Sequence, residues 1–303
     1  MSKIGIIGGI VAEIEGNPYG QLAMHDSNAG TISMSYGGAG RNIAENLARM
    51  GERVSFASVA GDDFAGRGVV RELEALGVDV KNVRLLAAEN TAVSMAVLNL
   101  LKDLELALYN VDVMKCISTE VIDDAVKAFS DCKIVGLDAN ISAEVLAYAV
   151  KAFGTIPLFL DPVSQAQAES AKDLVGNFHT IKPNRMEAEA LSGLSILSGS
   201  EMEAAGAWFM EQGVKRLFMT LSGGGVFYTD GKQTGTLRPK ENLSIVRAVG
   251  AGDAFSAAIL SGFVKGYDMQ TTAEYGMEAA AIAMESKTSV NPEMSKERLG
   301  NRK

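Results

Sequence analysis

Two cysteines, two histidines and no long apolar run define what this chain of 303 residues does without. Cys116 and Cys132 sit in apolar contexts with no partner spacing for zinc, which points to a reducing, cytoplasmic setting and to two small core residues. His25 and His179 have no neighbour in sequence that would make either a ligand or a base, and neither receives a role. No apolar stretch approaches a membrane span, and the opening MSKIGIIGG lacks the charged, apolar and small-residue succession of a secretory signal. A soluble protein without a membrane partner is expected. The net charge of −9, with Lys and Arg scattered, provides no basic face and so argues against nucleic acid. No internal repeat, low-complexity tract or linker divides the chain, which leaves a small molecule as the expected partner.

What is present is apolar: 47% of residues are hydrophobic, enough to bury a large core. Residues 3–10, KIGIIGGI, read as an opening parallel strand. Glycines 5, 8 and 9 do not make GxGxxG, so a dinucleotide site finds little support. A helix over 37–51, a strand from Arg53, and a helix over 64–76 follow, and strand and helix keep alternating to the end of the chain. Helices are expected near 118–129, 142–152, 165–175, 185–192, 201–212, 251–265 and 270–285, with strands at 133–138, 156–161, 178–182, 216–221 and 225–229. Two stretches break the rhythm. Residues 11–36 carry turn signals and short segments suited to exposed strands, and residues 91–112 read as two β segments around Lys102-Asp103. The expectation is a single α/β domain over 1–303, a doubly wound, mostly parallel sheet with helices on both faces, plus a small β lid inserted from about 11–36 and 91–112.

The chemistry gathers at predicted strand ends and helix starts. Asp138, Asp161 and Lys182 end strand segments, where open parallel sheets bind ligands. In VGAGDAF, Gly250 and Gly252 let backbone N–H groups converge at the start of a helix, an arrangement suited to an anion. Asp253 would repel that anion unless it takes a proton from a hydroxyl attacking it; an ordinary helix cap accounts for the same residue. Asn184 and Glu187, three apart at a helix start, suit magnesium held largely through water, and they equally suit a capping box. Thr220, Ser222, Gly223 and Gly225 lie in a turn able to wrap nucleotide phosphates or simply to close a hairpin. Gly37, Gly38 and Asn42 could bring backbone and an amide to a polyol, or cap a helix.

In this order the motifs resemble the PfkB, or ribokinase-like, family of carbohydrate and nucleoside kinases. GGAGRNIAENLARMG and AGDDFAG stand early, PNRMEAEALSG in the middle and GAGDAFSAAIL late, over residues 4 to about 292. DSNAG, LDAN at 137–140, DPVS at 161–164 and VNPEM at 290–294 resemble its pseudouridine-kinase subgroup. The resemblance implies transfer of the γ-phosphoryl group of ATP, with Mg²⁺, to the primary hydroxyl of a ribose. It implies Asp253 as general base, with the amides of Gly250, Ala251 and Gly252 steadying the transferring group. Thr220, Ser222, Gly223 and Gly225 would line the ATP side together with Asn184. Glu13, Gly38 and Asn42 would hold the acceptor, with Ser27, Asn110 and Asp112 of the variable lid as candidates for reading its base. Lids of this family often pair between subunits, so a homodimer is implied as well.

Departures fall mostly on the acceptor side. Where the family commonly reads NVDI after the first strand, this chain reads VAEI, with Val11 and Glu13 in place of the Asn and the sugar-binding Asp. Arg247-Ala248 replaces an Asp-Thr pair that helps hold a monovalent cation, which argues against potassium activation, and Gln167 stands where subgroup members often carry Lys. Ribose, another nucleoside such as inosine, or a ketose therefore stay open as acceptors, as does a nucleoside-binding relative without turnover.

Overall fold

The computed structural model describes residues 3–221, 223–239 and 245–300. Its main sheet has nine strands: β1 (Lys3–Ile7), β4 (Arg53–Gly61), β5 (Asp79–Leu86), β8 (Cys132–Asp138), β9 (Leu158–Asp161), β10 (Thr180–Ile181), β11 (Arg216–Thr220), β12 (Val226–Thr229) and β13 (Thr234–Leu237). They run in the order β13-β12-β11-β10-β9-β8-β1-β4-β5, parallel from β5 to β11, with β12 and β13 added antiparallel. The side-chain period of two divides the core. Ile4 and Ile6 point to one apolar cluster and Ile7 to the other; Phe218 likewise opposes Leu217 and Met219.

On the Ile4 face lie α1 (Ala39–Arg49), α2 (Phe64–Ala75), α8 (Ala251–Lys265) and α9 (Met269–Met284). On the other lie α3 (Thr119–Ala128), α4 (Ala143–Ala152), α5 (Gln165–Ala171), α6 (Arg185–Ser192) and α7 (Gly199–Gln212). The doubly wound arrangement matches the expectation. The strand β5 was not anticipated, and the helix expected over 165–175 ends at Ala171, where a 3₁₀ segment, Lys172–Asn177, takes over.

Strand order reverses between β1, whose chain moves on to β4, and β8, whose chain moves on to β9, and the crevice outside such a reversal is the usual ligand position. Asp138 closes it. Its Oδ2 accepts from the amides of Gly9 (2.8 Å) and Gly40 (2.7 Å), and Oδ1 accepts from the amide of Asn140 (3.0 Å). The end of β1, the start of α1 and the end of β8 are thus held by one carboxylate. Burial pushes its pKa up to about 6 although those backbone bonds pull the other way.

A second, four-stranded sheet in the order β3-β2-β6-β7 comes from the two interrupting stretches: β2 (Val11–Pro18), β3 (Gly30–Gly37), β6 (Ala92–Leu98) and β7 (Leu104–Asn110). Its register puts Ile14, Met34, Met95 and Leu108 in one row and Ile32, Val97 and Leu106 in the next, on a single face. Glu13, Ser35, Ser94 and Tyr109 occupy the opposite face. Asp63 anchors this sheet to the main one, accepting from the amide of Thr91 (2.8 Å) and its hydroxyl (2.7 Å) while capping α2.

Asp138→Ala leaves these buried amides without acceptors, and we expect it to lower the unfolding free energy by about 3–5 kcal/mol. Urea unfolding monitored by circular dichroism checks this; a loss under about 1 kcal/mol would show that the clamp is dispensable.

Candidate active site

Helix α8 starts where VGAGDAF was expected to turn. Gly250 is its N-cap at φ 88°, and a Cβ there would come 1.8 Å from the carbonyl oxygen of Ser289, so glycine is required both by conformation and by space. Across the crevice Gly38 caps α1 at φ 95°, and a Cβ there would meet the carbonyl oxygen of Gly9 at 2.4 Å. The two glycine turns bring Asn42 and Asp253 together: the Asn42 amide donates to Asp253 Oδ2 at 2.8 Å.

Beneath the turn lies a buried ion pair. Lys182 Nζ is 3.0 Å from Asp161 Oδ2, which also accepts from Ser256 Oγ at 2.6 Å, and both charged residues are under a tenth exposed. Burial works against the charge on Lys182, but Asp161, Glu187 and Asp253 outweigh it and hold the pKa above that of an ordinary lysine. For Asp253, burial raises the pKa first and the Asp161 charge adds to it; the Asn42 bond and Lys182 only partly offset them, and the result is about 7. A carboxyl so placed is suited to accept a proton near neutral pH.

Asn184 and Glu187 meet as a complete capping box. Asn184 Oδ1 accepts from the Glu187 amide (2.9 Å), Glu187 Oε2 from the Asn184 amide (2.8 Å), and Glu187 Oε1 from Asn184 Nδ2 (2.7 Å). Glu187 is 3% exposed, and burial raises its pKa while Lys182 lowers it. Among the described residues no group of three or more His, Cys, Asp or Glu could enclose a metal. With both oxygens engaged, these side chains fit magnesium only through its water shell, the mode in which that ion keeps several waters and takes phosphate oxygens.

Thr220 bridges to Asn184 at the neighbouring strand end. With Leu221, Gly225, Gly252, Phe255 and Met277 it lines a cavity of about 650 Å³ between the turn after β11 and the helices α8 and α9. Gly223 has φ 86° with open space around it, while Ser222 lies outside the described residues. Ala251 and Gly252 also border this cavity, so nucleotide-sized space meets the start of α8.

On the other side, Glu13 Oε2 accepts from Ser289 Oγ (2.8 Å) and, at the long limit, from Ser35 Oγ (3.4 Å). Arg247 donates to the Lys287 carbonyl at 3.1 Å and lies 3.8 Å from Glu15. Gln167 donates to Asn140 Oδ1 at 3.4 Å. Ser27 is in an exposed turn beside Asp26, and Asp112 is exposed and paired with Lys115, so neither is tied to the Asn42–Asp253 contact. The Asp161–Lys182–Ser256 cluster, the Asp138 clamp and Ser289 were not assigned from sequence. Polar residues ending parallel strands were the available signal for the first two, and nothing local marked Ser289.

Comparison with known proteins agrees with this geometry. The family model described as pfkB family carbohydrate kinase matches residues 1–296. The chain is 31% identical over 291 residues to the pseudouridine kinase of Escherichia coli, covering 96% of this chain and 93% of the relative. It is 28% identical over 299 residues to the guanosine-inosine kinase of Exiguobacterium acetylicum, covering 97% and 98%. Ribokinase from Thermotoga maritima superposes with a TM-score of 0.84 over 99% of this chain and 98% of its own, at 21% identity, and shares the fold. The chain belongs to the pfkB family of carbohydrate kinases, phosphotransferases that act on a hydroxyl group.

Proposed function

We propose that this chain phosphorylates the primary 5′-hydroxyl of a nucleoside with ATP, and that pseudouridine is the acceptor. The observation that carries the reading is the Asn42–Asp253 contact: a carboxyl with its pKa near 7 sits in the first turn of α8, directly after Ala251 and Gly252, which line the nucleotide-sized cavity. Two whole-length relatives, pseudouridine kinase at 31% identity and guanosine-inosine kinase at 28%, are named for nucleosides and support that acceptor class, although a relative named a sugar kinase also matches at 31%.

In this reading Asp253 takes the proton of the attacking hydroxyl while the amides of Gly250, Ala251 and Gly252 hold the charge of the transferring group. Lys182, whose Nζ is 3.5 Å from where a Gly252 Cβ would stand, adds positive potential beneath them. Thr220, Gly223 and Gly225 border the phosphates, and Asn184 with Glu187 hold magnesium through water. The chemistry that ion supplies when bound is neutralisation of charge on the phosphate oxygens. Gly38 and Asn42 hold the acceptor sugar, and Glu13 reaches it from the small sheet. That sheet acts as a lid whose polar face excludes water, the competing acceptor.

The lid's apolar face calls for a partner of its own. Ile32 is 80% exposed, Leu108 58% and Leu106 52%, on a face that the register makes continuous. We propose that a second copy covers it, burying lid against lid.

Supplied with ATP and Mg²⁺, the protein is expected to phosphorylate pseudouridine in preference to uridine, inosine, ribose and fructose. The replaced residues Val11 and Glu13 permit the competing acceptors, and a preference for any of them would transfer the assignment to it. Asp253→Asn should reduce the rate roughly 10²- to 10⁴-fold with ATP binding retained. Because the unprotonated carboxylate is the active form, kcat/KM should be sustained above about pH 7 and fall below it. An acid limb near pH 4 in the wild type would show that the Asp253 carboxyl is not raised by its surroundings as the geometry implies. Leu106→Glu with Leu108→Glu should convert a dimer into monomers in sedimentation velocity; a wild type already monomeric at micromolar concentration would refute the paired lid.

A further inference from the structure

The Asn42 amide can face Asp253 in two ways, and a residue outside the contact decides between them. Arg41 lies in the first turn of α1 and is 4% exposed. Its Nη1 donates to Asn42 Oδ1 (3.1 Å) and to the carbonyl of Tyr36 (3.0 Å), in the last turn-ward stretch of β3. Its Nη2 pairs with Glu45 and lies 3.5 Å from Glu72, and its Nε has no hydrogen-bond partner. Burial lowers the pKa of this guanidinium, and a buried charge with an unpartnered donor is a poor device for stability alone.

Its value lies in having donors only. A guanidinium facing Asn42 requires that Oδ1 turn toward it, which leaves Nδ2 toward Asp253. Nδ2 also only donates, so the Asp253 oxygen facing it must accept and carries no proton. With the amide reversed, Nδ2 would oppose the Arg41 donor and Oδ1 would oppose Asp253, a pairing satisfied only by a protonated carboxyl. The other charges that face Asp253 come from separate strands: Asp161 and Asp138 disfavour ionisation, and Lys182 favours it.

We propose that Arg41 is a positioning residue that locks the Asn42 amide in the orientation keeping Asp253 able to accept a proton, and that ties this orientation to β3 of the lid through the Tyr36 carbonyl. This rests on the reading of Asp253 as the general base.

The test measures kcat/KM against pH, ATP affinity and thermal unfolding for wild type, Arg41→Met, Arg41→Lys and Asp253→Asn. Arg41→Met is expected to lower kcat/KM about 10- to 100-fold, to move its acid limb to higher pH and to leave ATP affinity close to wild type, while the buried Glu45 left without this partner lowers the unfolding midpoint. Lysine keeps a donor for Asn42 Oδ1, so Arg41→Lys should return the limb toward its original position. If Arg41→Met does not fold, Arg41→Lys carries the decision: with one ammonium in place of the fork that joins Asn42 to the Tyr36 carbonyl, its limb is expected above that of wild type. A limb unmoved in the folded variants overturns the proposal, as does a loss of activity that follows only the loss of folded protein. If Asp253→Asn remains active, the base assignment itself fails; if it is inactive while Arg41→Met behaves as wild type, only the role of Arg41 fails.

Discussion

Lys182 and Asp161, 3.0 Å apart and buried at the ends of adjacent strands, are the contact on which the rest of the site depends. Asp161 does more than balance the lysine. By accepting from Ser256 it reaches one turn beyond Asp253 in α8 and fixes the helix whose start forms the anion turn. In low dielectric, unlike charges at this distance attract strongly but each pays a desolvation cost, so the pair favours a particular arrangement more than it favours stability. Asp253 inherits the consequence. It shares the lysine with Asp161 and faces Asp138 as well, and its carboxyl is left with a pKa near neutrality. A single additional lysine at this edge would settle the charge and remove the poise on which the base role proposed for Asp253 depends.

Much of the frame was legible because the alternation of strand and helix is carried by local patterns. Gly51, Gly77 and Gly266, all at positive φ, close the three helices before them, and the three-residue spacing of Asn184 and Glu187 forms the capping box it predicted. That outcome sharpens the magnesium expectation, since a carboxylate engaged on both oxygens is left with a water-mediated role. β5 was missed because none of its residues is fully buried, and the edge strand DVKNVRLL shows little contrast between its faces. The small sheet was expected as a lid from 11–36 and 91–112 and its strands lie there; what was not legible is which way its faces turn. Its strands do alternate, but the apolar residues are the exposed ones and Glu13 and Ser35 turn inward, so the usual link between hydrophobicity and burial is reversed.

The site contacts themselves are topological. Asn42 and Asp253 are separated by 211 residues and Glu13 and Ser289 by 276, and no local pattern joins either pair. What sequence could offer was residue type at the correct end of a strand or helix. Glycine was the more informative type, because Gly38 and Gly250 are fixed by backbone approach, to Gly9 and Ser289 respectively, and these approaches bring the two halves of the crevice into contact. Polar side chains such as Asp138 and Asp161 could be located but not assigned, since the groups they hold, the Gly9 and Gly40 amides and Ser256, come from other parts of the chain.

The departures on the acceptor side acquire a physical meaning from the same network. Glu13 reaches one methylene further than an aspartate and uses that reach to accept from Ser289, whose carbonyl oxygen lies against Gly250. Its other oxygen sits 2.2 Å from where a Gly37 Cβ would stand, so the carboxylate is pressed between the two glycine turns. To receive an acceptor hydroxyl it must share or release Ser289. In the acceptor role proposed for Glu13, that contact would be coupled to the loop behind Gly250, and a change at position 13 would alter the support of the α8 start along with the fit of the sugar. Under the proposed function, selectivity would be a property of the linked set Glu13, Ser289 and Gly250 rather than of position 13 alone.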